Sequence, residues 1–226
     1  MTAAFQYDIH LPAQLEGGKR YPVIFTLHGK GSNERNMFGL VSPLAEQFII
    51  IGIRGNRILG NGYQYYDLKS LGNPIREQFD QSMQELTDFI AYATSKYPID
   101  AQRRYLLGFS QGAILSMSLA LTMGDQLKGI VALNGYVPAF VKTEYSLRSV
   151  EQTSMFISHG DFDSVFPVSI VHENAAYFQP LASKLTFKTY PTDHGVSPEN
   201  QQDYTQWLLQ DAGLTDTNDN QGGIQR

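Results

Sequence analysis

Short continuous apolar runs alternate along this chain with longer stretches in which apolar residues recur every three or four positions. Pro22–Leu27, Phe48–Ile53 and Gly129–Leu133 are of the first kind and predict strands buried on both faces. Phe5–Leu11 alternates instead and stops at Pro12, predicting an edge strand that ends before the Gly17-Gly18 turn. Arg104–Phe109, Ser154–Ser158 and Leu185–Tyr190 predict further strands. Ile75–Tyr97 has the helical period and ends at Pro98, and Gln111–Met123, Val168–Phe178 and Pro198–Gln210 predict further helices. Met37–Gln47 reads as helical around Pro43. Arg54–Pro74, rich in Gly, Asn and Tyr, reads as a long structureless loop and hence as a candidate pocket wall. Asn134–Gln152 reads as irregular, and Gly213–Arg226, polar and aperiodic, as disordered.

This alternation predicts an α/β fold: a mostly parallel twisted sheet with helices on both faces. No repeat, inter-domain linker or lid-sized insertion interrupts it, so the expectation is one domain over 1–211 and a disordered tail over 212–226. The 226 residues, 42% hydrophobic, suffice for one large core. A net charge of −5 argues against a nucleic-acid partner. No run of apolar residues is long enough for stable membrane insertion. The first residues lack the basic and apolar regions of a signal peptide, making a cytoplasmic location the default expectation. Cysteine is absent, which removes disulfides, thiolate metal sites and a cysteine nucleophile together.

The chemistry begins at Gly108-Phe109-Ser110-Gln111-Gly112, where a G-x-S-x-G pattern joins a strand-like run to a helix-like run closed by Gly124. Spacing alone would arise by chance in roughly one such chain in ten. The strand–turn–helix context makes it a nucleophile elbow, with the serine raised on a strained turn. A serine hydroxyl needs a general base, and the base an orienting acid, in the chain order Ser, Asp or Glu, His. Of five histidines, His10 and His28 precede Ser110. His159 ends a strand with no acid-bearing loop before it, and His172 falls inside a predicted helix. By elimination His194, in the loop Pro191–Gly195, is the base. Asp161 and Asp163, in the loop after Ser154–Ser158, are equal candidates for the acid; a metal reading of His159, Asp161 and Asp163 lacks further ligands. Backbone N–H groups of Gln111 and of Lys30, in His28-Gly29-Lys30-Gly31, are the expected oxyanion donors. That segment lacks the spacing of a phosphate-binding loop.

Together these motifs resemble the phospholipase/carboxylesterase family of small α/β-hydrolases, the group that includes the acyl-protein thioesterases. Leu27–Gly31, Gly108–Gly112, His159–Asp163 with Val165 and Pro167, and Phe187–Tyr190 leading to His194 carry the resemblance, which spans about residues 20 to 211. It implies an α/β-hydrolase fold, and the family's H-G-x-x-D pattern falls on Asp163. Tyr63–Asp67 is similar to the family's aromatic-Asp segment near the pocket. Two departures stand out: Lys30 where the family has an apolar residue, and the segment Gly195–Pro198 after the histidine. They keep protein depalmitoylation from being carried over with the fold.

The expectation is therefore a serine esterase acting on short-to-medium acyl esters, with thioesters as a further class, through Ser110, His194 and Asp163 and without cofactor or metal. Met37, Phe38, Tyr63, Tyr65, Tyr66 and Phe166 either line its pocket or pack the loops. Rival readings are a catalytically silent binding protein on the same fold and an acyltransferase or amidase using the same triad. The sequence leaves oligomeric state open.

Overall fold

The computed structural model describes residues 5–214. In chain order its elements are β1 (Tyr7–His10), β2 (Tyr21–Leu27), α1 (Phe38–Val41), β3 (Ile49–Ile53), β4 (Arg57–Leu59), β5 (Gly62–Gln64), β6 (Leu68–Ser70), β7 (Asn73–Pro74) and α2 (Arg76–Lys96). There follow β8 (Ile99–Phe109), α3 (Gln111–Met123), β9 (Gly129–Leu133), α4 (Ala139–Glu144), β10 (Ser154–Gly160), α5 (Val168–Phe178), β11 (Leu185–Tyr190) and α6 (Pro198–Asp211).

Seven strands form the main sheet in the order β1-β3-β2-β8-β9-β10-β11. Only the edge strand β1 runs antiparallel, pairing Tyr7 with Ile53; the other pairs are parallel. The strand period of two sorts the apolar side chains into two cores. Phe25, Leu106, Ile130 and Ile157 pack beneath α2 and α3, while Ile24, Leu107, Val131 and Phe156 pack beneath Tyr204 and Leu208 of α6. Helix α2 buries Phe79, Met83, Leu86, Ile90 and Ala93, the stripe its periodicity predicts. Helix α3 is apolar nearly all round and buries all but one of its residues, as a helix seated at the centre of the molecule must. The parallel register brings the carboxyl ends of β2, β8, β9, β10 and β11 to one edge of the sheet, the usual place for a site in such folds.

The α/β expectation holds, and three local ones are corrected. Arg54–Pro74 is not structureless: it folds into two hairpins, β4–β5 and β6–β7. The first closes on the two-residue connection Gly60-Asn61, with Gly60 at φ +57°, a hairpin turn that polar composition disguised as loop. Asn134–Gln152 contains α4, entered from Pro138. The chain also stays packed past 211: Ala212 is buried and the Leu214 N–H donates to the Leu209 carbonyl at 2.8 Å. The rest of the expected tail, 215–226, lies outside the described residues.

Candidate active site

Ser110 sits between β8 and α3 at φ +54°, ψ −115°, a conformation that L residues rarely adopt. Its neighbours make that turn possible. A Cβ on Gly108 would lie 2.2 Å from the Gly112 carbonyl oxygen, and one on Gly112 would lie 2.0 Å from the Leu27 carbonyl oxygen. The glycines of G-x-S-x-G are thus required by close backbone approach, of helix to strand and of helix to β2. The Ser110 N–H donates to the Leu133 carbonyl at 2.9 Å, tying the turn to the end of β9.

His194, on the loop between β11 and α6, reaches back over this turn. Its Nε2 lies 2.9 Å from Ser110 Oγ and its Nδ1 2.7 Å from Asp163 Oδ2. A carboxylate only accepts, so Nδ1 carries the proton and Nε2 is free to receive the serine's. The imidazole stands between the rings of Phe109 and Phe166, with centroids 5.2 and 5.3 Å away. Of the two candidate acids, Asp163 is buried against His194 while Asp161 points to solvent. Asp163 Oδ1 accepts the N–H groups of Val165 and Phe166, both at 2.8 Å. Its Oδ2 also lies 3.2 Å from Nε2 of the fully buried His159. That nitrogen is 2.9 Å from the Phe166 carbonyl as well, so both its neighbours are acceptors and it must carry the proton.

Two further residues hold the histidine loop, and neither was singled out in the sequence. Asp193 Oδ1 accepts from the N–H of Ser164 at 2.8 Å and from that of His194 at 2.7 Å, clasping the acid's loop to the base's. The Ser164 N–H, as the first cause, keeps this carboxyl below the usual range. Asn134, just past β9, takes φ +54°, which asparagine tolerates better than most residues. Its side chain donates to the Gly195 carbonyl at 2.8 Å and accepts from the Gly160 N–H at 3.1 Å.

The loop after β2 faces Ser110 from the other side. Among the described residues, the N–H groups of Lys30 and Gln111 meet no protein acceptor. His28 controls the first of them. Gly55 N–H donates to His28 Nε2 at 2.9 Å, which leaves the proton on Nδ1 to donate to the Gly29 carbonyl at 2.7 Å. That carbonyl and the Lys30 N–H belong to one trans peptide and point opposite ways, so fixing one aims the other. Burial holds the His28 imidazole below its usual pKa, in the neutral form that accepts from Gly55. The Gln111 side chain is a second brace: its Oε1 accepts from Tyr65 N–H and its Nε2 donates to the Tyr66 carbonyl.

A cavity of about 330 Å³ opens beside Ser110, Gln111, Lys30 and His194. Of the six residues weighed for the pocket, Tyr66 and Phe166 line it and the other four do not. Met37 packs in the α6-side core with Phe38 beside it. Tyr63 pairs its backbone with Ser32, holding the loop after β2 from behind. The Tyr65 hydroxyl donates to the Ile53 carbonyl and accepts the His28 N–H. Of these three tyrosines only Tyr63 lies in a strand, β5; Tyr65 and Tyr66 follow it in a bend. Among the described residues, no three His, Cys, Asp or Glu side chains form a group suited to a metal ion, and no helix is long and apolar enough to cross a membrane.

Comparison with known proteins places this geometry. The family described as Phospholipase/Carboxylesterase matches residues 14–210. An acyl-protein thioesterase 1 of Candida albicans is 28% identical over 165 residues, covering 66% of this chain and 71% of the relative. That of Kluyveromyces lactis is 27% identical over 209 residues, 82% of this chain and 90% of the relative. Among solved structures, a carboxylesterase of Bacillus cereus superposes with a TM-score of 0.82 at 21% identity, over 92% of this chain and 95% of its own; at that identity the likeness is one of fold.

Proposed function

The chain belongs to the phospholipase/carboxylesterase family of ester-hydrolysing enzymes, and from that premise we propose that it is a serine esterase of short-to-medium acyl esters, thioesters included. The observation that carries this reading is the unbroken chain from Ser110 Oγ through His194 to Asp163, beside two unpartnered amide donors. Ser110 Oγ attacks the acyl carbonyl carbon as its proton passes to His194 Nε2. Asp163 stabilises the imidazolium through Nδ1–H. The carbonyl oxygen, now an oxyanion, is met by the Lys30 and Gln111 N–H groups, each worth about 10²–10³ in turnover in comparable sites. His194 returns the proton to the departing alkoxide or thiolate, and water repeats the sequence on the acyl-enzyme. His194 carries the proton in each of these steps.

The cavity sets the acyl length. At about 330 Å³ it lies near the lower end of ligand pockets, roughly 300–1,000 Å³, which favours chains shorter than the long acyl groups of lipidated proteins. The reading is tested with p-nitrophenyl esters and a fluorophosphonate probe. Wild type should hydrolyse the esters and take up one probe molecule on Ser110, and the Ser110→Ala variant should do neither while keeping its fold. Hydrolysis surviving in that variant would overturn the proposal, and folded wild type that neither turns over nor labels would favour a silent binding protein.

A further inference from the structure

The cavity beside Ser110 has walls of two kinds. Leu68, Leu71, Ile114 and Val165 offer apolar surface that any acyl chain would satisfy. Tyr66 and Tyr136 also line it, although they are only 1% and 8% exposed. Their rings are seated by aromatic packing: Tyr66 lies edge-on to Phe79 and Tyr136 edge-on to Phe166, with centroids 5.0 and 5.1 Å apart. No hydrogen bond engages either hydroxyl among the described residues.

That sets these two apart from the other buried tyrosines. The hydroxyl of Tyr65 bonds to the Ile53 carbonyl, Tyr105 to Asp211, Tyr190 to Asp203, Tyr204 to the Leu40 carbonyl, and Tyr21 to the Glu16 N–H. Buried hydroxyls are ordinarily paired. Among the described tyrosines, the two buried ones without a partner line one cavity, the one that holds Ser110, and their oxygens remain accessible rather than enclosed. The Gln111 amide on the same wall is spent on Tyr65 and Tyr66 backbone groups. Burial, the largest cause for each, raises both phenols and holds Tyr136 at about 12, so both remain donors at neutral pH.

We propose that the substituent this cavity takes carries an oxygen acceptor, a ketone or ether oxygen beyond the reacting carbonyl, to which the Tyr66 and Tyr136 hydroxyls donate. The proposal rests on the esterase reading of Ser110 and narrows its substrate class to oxygenated esters. A plain alkyl chain would fill the same space and leave two desolvated donors unpaired, which sites built around a hydrogen bond punish heavily. The oxygenated substituent can belong to the acyl group or to the alcohol.

Two matched pairs separate those sources. One compares p-nitrophenyl hexanoate with its keto analogue of equal length, the ketone at the penultimate carbon. The other compares pentyl acetate with its keto analogue in the alcohol. In one pair, kcat/KM should favour the keto ester by about tenfold or more. The double variant Tyr66→Phe/Tyr136→Phe keeps both rings, and its ratio should fall to about one in that pair. No keto preference in either pair, or a preference that survives the double variant, would overturn the inference. Calorimetric binding of the same esters to the Ser110→Ala protein reads the preference without turnover. Retained preference there, with no hydrolysis by wild type, would fail the esterase reading alone; equal affinity for keto and plain esters would fail this inference alone.

Discussion

The side-chain amide of Asn134 donates to the carbonyl of Gly195 at 2.8 Å, between residues 61 positions apart in the chain. It thereby ties the end of β9, one strand from the Ser110 elbow, to the residue that follows His194. Asn134→Gly relieves the positive φ but removes this bond and the one from Gly160. Turnover should fall by about tenfold or more, since misplacing a catalytic base is costly even when the fold is kept. Thermal melts beside kcat separate the positional loss from a loss of stability.

Asp193 gives a prediction with a sign. Its folded pKa is depressed, with the Ser164 N–H as first cause, so the unfolded state binds its proton first as pH falls. The clasp between the Ser164 and His194 loops is therefore fully present above the unfolded value of about 3.9 and is lost as pH drops through the depressed one. Asp193→Ala should lower kcat at neutral pH. Its difference from wild type in thermal melts should be constant from neutral pH down to about 4 and shrink only below that.

His28 titrates in the other direction. Burial lowers its pKa, so the unfolded state takes up a proton that the folded state refuses. Stability should be full above the unfolded value of about 6.5 and decline as pH falls below it, levelling off beneath the depressed folded value. His28→Asn retains a donor for the Gly29 carbonyl and should keep more activity than His28→Ala. The alanine variant should lose up to about 10²–10³ in kcat, the scale of one oxyanion donor, and its melts should lack the wild-type slope in this window.

At the acid, Asp163→Asn should lower kcat by about 10⁴, because the amide no longer selects the Nδ1–H tautomer of His194. His159 should matter less but through the same atom. His159→Leu deprives Asp163 Oδ2 of a buried neighbour 3.2 Å away, and kcat should fall by about tenfold. His159→Gln, which restores a donor, should recover part of it. Parallel pH–rate profiles show whether the loss acts through the acid.

Much of this was legible in the residues. Continuous apolar runs found β2, β3 and β9, because a parallel strand buried on both faces has no polar positions to confuse it, and alternation found the edge strand β1. The elbow was legible because close approach restricts Gly108 and Gly112 to glycine. Composition failed for Arg54–Pro74, where hairpin turns use the same Gly and Asn as loops. His159 was set aside because only its own strand was considered, whereas its partner Asp163 lies four residues later on a loop that folds back. Asn134 and Asp193 act by bonding across the molecule, and nothing in their neighbours' identity announces it. Tyr63, Tyr65 and Tyr66 were distinguishable only once their strand and loop assigned each a direction.

The most direct measurement is mass spectrometry of the acyl-enzyme. The protein is quenched in acid during turnover of a p-nitrophenyl ester and its peptides are mapped. A single acyl group should sit on Ser110, absent from Ser110→Ala and transferred to hydroxylamine when that is added before quenching. Turnover at the wild-type rate with no acyl group on Ser110, or with the group on another residue, would contradict the account.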